Sequence, residues 1–514
     1  MPTLRARVLT TVLRTLGLSA VICSILFWSA CGDTFRPVVI PNPPNPPDPS
    51  NAHSVLAITN NGKFNPGSIM LMDVSGDTVQ GIGNVGLGPS HVALVPPGAA
   101  HIAIANAEDD TVTLITSSSA SALLTPTTIS LPSGSAPVFV HSMENGFFYV
   151  ANSGNATVAV VNTATNAVTN VIPLAAPNPV SLAETPDGKK VYVASQGGGV
   201  TSINTVDKSP NPLITDASIN APISVAARSD SARVYVLSQG NGDVATIDTF
   251  SDTVIPPVTQ ISVGAGADFM LYDRHLNRLY VTNSTAGTLS VLDAAQDTPV
   301  LLANINLPGG PNAACPAGCA SVAPLPNGSG VYASTLQLAN GNAAAIVTVI
   351  NPLNNSIVKT VNLPAVTALP ACNSIRFRIS TAASADSSRV YLGNCDAGNI
   401  AVIRASDATP LVNLPGPVSA GTGPTLTISS ASQSGLNTTY SYAIFNPPAA
   451  PLQIGMSVVV KGFGNTDDGT FAITGLGPGT FTVLNPSGVT AAAQNGTGVA
   501  TPPLQSPVFV LAGP

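Results

Sequence analysis

One strand recurs along this chain and limits what it can fold into. Tyr149-Val150-Ala151-Asn152-Ser153 returns as Tyr192-Val193-Ala194-Ser195-Gln196, as Tyr235-Val236-Leu237-Ser238-Gln239 and as Tyr280-Val281-Thr282-Asn283-Ser284. Between returns lie an apolar strand, a Gly or Asn turn, and further strands punctuated by Pro, Gly or Asp. The third copy is the clearest: FFYVANS (147–153), TVAVVNT (157–163), AVTNVIPL (167–174) and PVSLAETPDGK (179–189). Short apolar or alternating runs broken by such residues are strands, so the unit is a four-stranded antiparallel sheet.

Extending the register gives eight starts, at Val55, Ile102, Phe148, Val191, Val234, Leu279, Val331 and Val390, spaced 43 to 59 residues apart. A period in the forties with four strands per repeat is the signature of propeller blades. No window carries a helical period near 3.6, which excludes helical solenoids.

The segments YVANS, TVAVVNTATNAV and TPDGKKVYVAS resemble the bacterial YVTN-repeat β-propellers, over roughly residues 54 to 415. The resemblance implies a ring of blades around a central channel on a surface or envelope protein. Members often have seven blades, whereas the count here favours eight. A ring needs closing, because open first and last blades leave unpaired strand edges. The first copy lacks a strand of the PVSLAE type. Ser506-Pro507-Val508-Phe509-Val510-Leu511 matches Ala136-Pro137-Val138-Phe139-Val140 and is expected to pair with 54–60; the alternative is a frayed tail.

Arg5, Arg7 and Arg14 precede an apolar stretch from Leu16 to Trp28, and Ser29-Ala30 stand before Cys31. This reads as an export signal and resembles a bacterial lipoprotein signal, which implies lipidation of Cys31. The departure is Trp28, where Leu is usual. Ordinary cleavage and an uncleaved anchor are the alternatives. Gly32, rather than Asp, follows the cysteine, which by the same analogy implies the outer membrane. Prolines from Pro37 to Pro49 then make an extended spacer that packs no core. Trp28 is the only tryptophan, so the processed chain is expected to lack tryptophan fluorescence.

Charged residues make up only 8% of the chain, whereas Gly (45) and Pro (46) abound, as many tight turns require. The formal charge of -7 becomes three units more negative once the leader's arginines are removed. With no Lys/Arg run, nucleic acid is excluded as an expected partner. Beyond Cys23 and Cys31 the chain has Cys315, Cys319, Cys372 and Cys395, which allow three pairings. If SIRFRIS (374–380) and RVYLGNC (389–395) form a hairpin, Cys372 faces Cys395, leaving Cys315 and Cys319 to close a small loop. A zinc site lacks neighbouring histidines.

Near the end, LTISSAS (426–432), TYSYAIF (439–445), SVVVKGFG (457–464), GTFAITGL (469–476) and GTFTVLN (479–485) fall out of the repeat register and read as a small antiparallel β domain. The organisation expected is a signal peptide over 1–30, a lipidated cysteine and Pro-rich linker over 31–53, a propeller over 54–421, an inserted β domain over 422–503 and a closing strand over 504–514. The fold class is all-β.

Catalytic motifs are missing: there is no HExxH, no GxSxG and no phosphate-binding glycine loop before a helix. Polar residues on or near predicted inner strands form a shortlist for a channel ligand: His91, His141, Glu184, Arg228, Asp273, Arg376 and Arg378. Rim pairing with neighbours is the competing reading for each. Two functions remain. The first is a monomeric envelope scaffold that binds a protein or glycan, without a cofactor. The second is a hydrolase resembling the lactonase propellers, with a divalent metal in the channel. The second needs converging carboxylates, and Glu184 and Asp273 lie two blades apart, so binding is preferred.

Overall fold

The computed structural model describes residues 54–513 apart from 62–65, 75–77, 96–100, 117–124, 143–145, 257–260, 312–317, 369–371, 373–376, 418–423, 447–451, 453–455 and 502–504. The expected leader, Cys31 and the proline linker lie outside the described residues, as do Cys315 and Arg376.

The described chain is all-β, with eight propeller blades and a closed six-stranded barrel. The third blade shows the pattern: inner strand Pro137–Ser142, then Phe147–Asn152, Thr157–Asn162 and the outer strand Ala167–Pro173. Phe148, Tyr149, Val150 and Ala151 on its second strand are all fully buried. Each blade is covered by a neighbour on both faces, so a middle strand is apolar throughout rather than alternating. One such junction packs Tyr149, Val158 and Val160 against Leu182, Val191 and Val193 of the fourth blade. Inner strands neighbour one another around a complete circuit.

The circuit closes through the tail. Ser506–Gly513 pairs antiparallel with Ser54–Asn60, from Ser54 opposite Gly513 to Asn60 opposite Ser506, with an irregularity between Ile58 and Thr59. Val508 and Val510 thereby enter the cores on either side of the first blade. Pro507 lacks an N–H and is tolerated beside such an irregularity.

In four blades the repeated tyrosine has a common task. Its hydroxyl donates to the turn after the third strand of the next blade: Tyr192 to Asp252 (2.5 Å), Tyr235 to the Ala294 carbonyl (2.9 Å) and Tyr332 to the Ala405 carbonyl (2.6 Å). Tyr391 reaches the Val74 carbonyl across the ring closure. A buried phenol needs such a partner; Tyr149 Oη instead accepts from Lys208 of the next blade, and Tyr280 Oη is buried without a hydrogen-bond partner among the described residues.

Three details differ from the sequence expectation. The fourth blade has three regular strands, Pro179–Glu184, Lys190–Ser195 and Gly199–Asn204. Its outer strand shrinks to two isolated bridges, Val200 with Ile214 and Ile203 with Pro210, because Pro210 and Pro212 cannot donate to a ladder. In the eighth blade the inner strand is Ile379–Ala383, paired with Arg389–Asn394, so the strand expected over 374–380 begins later. The Cys372–Cys395 disulfide is present nonetheless. The inserted domain has a sixth strand, Ala491–Thr501, which pairs with both Thr425–Ser434 and Ser457–Lys461 and closes the barrel. Its Ala/Gly-rich sequence has no strand periodicity. A Cβ on Gly496 would lie 2.3 Å from the Ile428 carbonyl oxygen, so glycine permits that close approach. The barrel core is built on Leu426, Ile428, Val458, Ile473 and Val483, with Tyr440 stacked on Phe481 at 5.0 Å.

Candidate functional site

An inner strand is the edge of its blade's sheet, so some of its N–H groups have no ladder partner. Side chains of the preceding blade supply acceptors. Ser181 Oγ accepts from Val225 N–H (3.3 Å), Ser321 Oγ from Thr381 N–H (3.1 Å) and Ser380 Oγ from Val510 N–H (3.1 Å). The two shortlisted histidines do the same. His91 Nδ1 accepts from Val140 N–H at 3.5 Å, and His141 Nε2 from Glu184 N–H at 3.2 Å.

His91 also belongs to an aromatic plug. Its ring stacks on Phe139 (3.8 Å between centroids) and lies 4.6 Å from Phe509 and 6.0 Å from Phe377. Phe377 in turn meets Phe509 at 4.9 Å and Phe269 at 6.5 Å. His91 is on the second blade and Phe269 on the sixth, opposite positions in an eight-membered ring. A side chain that touches both must lie across the channel. Phe377 is therefore the centre of the plug. Cys372–Cys395 and the Arg378–Asp396 ion pair fix its segment to the eighth blade.

The other shortlisted groups divide in two. His141 and Glu184 come together across the third and fourth blades, 4.0 Å apart between Nε2 and Oε2. They are not an ion pair, since burial pushes His141 down to about 4 and its Nε2 lone pair is already accepting a backbone proton. Beside them Lys208 Nζ donates to Tyr149 Oη (3.1 Å) and lies 5.1 Å from the Phe147 ring centre. Burial, and then the Glu184 charge, raises the Tyr149 phenol.

Arg228 and Asp273 do not join this cluster. Arg228 grips Asp230 with two hydrogen bonds (2.9 and 2.7 Å) and donates to the Gln296 carbonyl (2.7 Å), clamping the fifth blade to the sixth. Asp273 Oδ1 accepts from His275 N–H (2.9 Å) and caps its own turn; burial raises its carboxyl. Glu184 and Asp273 thus do not converge.

On the face where inner strands begin, the structure adds residues that the sequence did not single out. Asn178 Nδ2 donates to Gln196 Oε1 (2.9 Å), and Gln196 Nε2 approaches Gln239 Oε1 at 3.4 Å, linking the fourth and fifth blades. Asp268 is half-buried, takes hydrogen bonds from Thr282 and Ser284, and desolvation pushes its carboxyl up to about 6. A usable signal existed: Asp268 stands where sister repeats have Val138, Val180 and Ile223.

No family model and no curated protein matches this chain. Among solved structures, Kuenenia stuttgartiensis hydrazine synthase is similar at a TM-score of 0.41 and 16% identity, covering 52% of this chain and 83% of that one. That similarity is too distant to bear on activity.

Proposed function

We propose that this protein is an exported, lipid-anchored propeller of the cell envelope that binds a protein or glycan through the face where its inner strands begin. The observation that carries this reading is the plug. With Phe377, Phe139, Phe509 and His91 packed across the channel, a ligand on that face meets a shallow mouth. On the same face stand the half-buried amides Asn178, Gln196 and Gln239. Amides that can both donate and accept suit hydroxyl-rich glycans and peptide backbone. Anchoring rests on the Cys31 signal, and the disulfide is compatible with an oxidising compartment.

The test has two arms. Defined envelope oligosaccharides and peptides are titrated against the purified chain, and Gln196→Ala with Gln239→Ala is expected to weaken capture at least tenfold without moving the melting temperature. Unchanged affinity in that double variant would rule out this face. Cys31→Ser is expected to move the protein from the detergent phase to the aqueous phase; retention in detergent would end the lipid-anchor reading.

A further inference from the structure

At three junctions a cation opens the second strand of a blade and is held by acceptors of the next blade or of its own. Lys190 donates to Asp252 and to the Thr249 carbonyl (2.7 and 2.8 Å), Arg233 to Asp248 and Asp297 (2.7 and 2.9 Å), and Arg278 to Asn355 and the Pro352 carbonyl. Each also stands opposite an acid or amide on the third strand: Lys190 faces Asn204, Arg233 faces Asp248 and Arg278 faces Asp293.

The junction of the seventh and eighth blades breaks this pattern at three positions. The seventh blade has Gly330 in place of the cation. The left-handed turn position that holds Asp252 and Asn355 elsewhere holds Ala408. The cation of the eighth blade, Arg389, stands opposite a second cation, Arg404, and like charges placed so are destabilising. At this junction lies a cavity of about 290 Å³ lined by Asn327, Ser329, Ser387, Arg389, Arg404 and Ser406, among others.

Among the described residues no carboxylate lines it. Arg404 Nη1 reaches Asp407 at 3.1 Å and Arg389 Nη1 reaches the Ser388 carbonyl at 3.0 Å, but Arg389 Nε is buried without an acceptor. Ser387 Oγ already accepts from Asn327 N–H (3.0 Å), so its hydroxyl proton remains to be donated. Two guanidinium groups and several hydroxyls around one cavity make an oxyanion site.

We propose that this cavity binds a phosphate-type dianion, free or carried on a small sugar, independently of the channel mouth. The added anion would supply the charge that the Lys190 and Arg233 junctions supply with their own carboxylates.

The test is calorimetric titration of the full chain with inorganic phosphate, and separately with a hexose 6-phosphate, at matched ionic strength. Millimolar or tighter binding is expected. Arg389→Gln should weaken it at least tenfold. Arg404→Gln should weaken it as well: Arg404 lines the cavity and is exposed, so this variant should fold. Tighter binding of the sugar phosphate would identify a carried group, and equal affinity a free ion. Absence of phosphate binding in the unmodified chain, or equal binding in both variants, would overturn the proposal.

Discussion

The ring and the barrel are both closed β structures, yet they close by different means. The ring is completed by Ser506–Gly513 pairing with Ser54–Asn60, from opposite ends of the described chain. The barrel is completed by Ala491–Thr501, and its strands pair only with one another, within residues 425–501. The ring therefore depends on a contact of very high sequence separation, whereas the barrel carries its closure within itself. An insertion can sit between the last blade and the closing strand because lengthening a loop costs little, provided the inserted segment needs no help to fold.

Removing residues 504–514 gives the sharpest contrast. Four apolar side chains, Val508, Phe509, Val510 and Leu511, would leave the first blade's cores, a loss of roughly 6 kcal/mol or more. Calorimetry is expected to show the ring's transition falling on the order of 10 °C or more, with the barrel's transition unmoved. Replacing 422–503 with a short flexible linker is expected to spare the ring. A barrel that melts along with the truncated ring would break the distinction.

Acidification comes next. His141 is held neutral in the ring, with its pKa pushed from 6.5 to about 4 by burial. The unfolded chain takes up that proton first, so the contribution is complete above pH 6.5 and is lost as pH falls toward 4. It amounts to at most about 3 kcal/mol. Asp268 works in the opposite sense: its carboxyl, raised to about 6, favours the folded state increasingly as pH falls from 6 toward its ordinary range. The difference between the parent and His141→Asn isolates the histidine. Urea denaturation at pH 7 and pH 4.5 should show a smaller loss on acidification in the variant; equal losses would mean that His141 is not held neutral.

The smallest effect is the pairing of two tyrosines. Tyr235 donates to the next blade and Tyr440 to the Asp467 carbonyl inside the barrel, both at 2.9 Å. Tyr235→Phe and Tyr440→Phe should each cost about 1 kcal/mol. Each is expected to shift only its own transition in a thermal scan.

Legibility followed the repeat. The eight blades, the tyrosine strand, the tail strand and the Cys372–Cys395 pair could all be read because each rests on a local pattern that recurs or on one hairpin. The sixth barrel strand could not, since Ala491–Thr501 has neither alternation nor β-branched enrichment. Of the shortlisted polar residues, only their closeness to inner strands was readable. Whether a histidine faces solvent, a ring or a neighbour's N–H depends on a blade some forty residues away.

The sequence by itself determined that this chain builds four-stranded blades; it favoured eight over seven and pointed to the strand that completes the first. Those properties follow from hydrophobic periodicity and turn chemistry within each repeat. Only the tertiary structure decided that Phe377 crosses the channel, that His91 and His141 accept backbone protons from the next blade, and that Arg389 and Arg404 line a cavity with Asn327 and Ser387. Each of these is a property of a junction, and a junction exists only when two blades close enough to exclude water bring together residues that no local pattern relates.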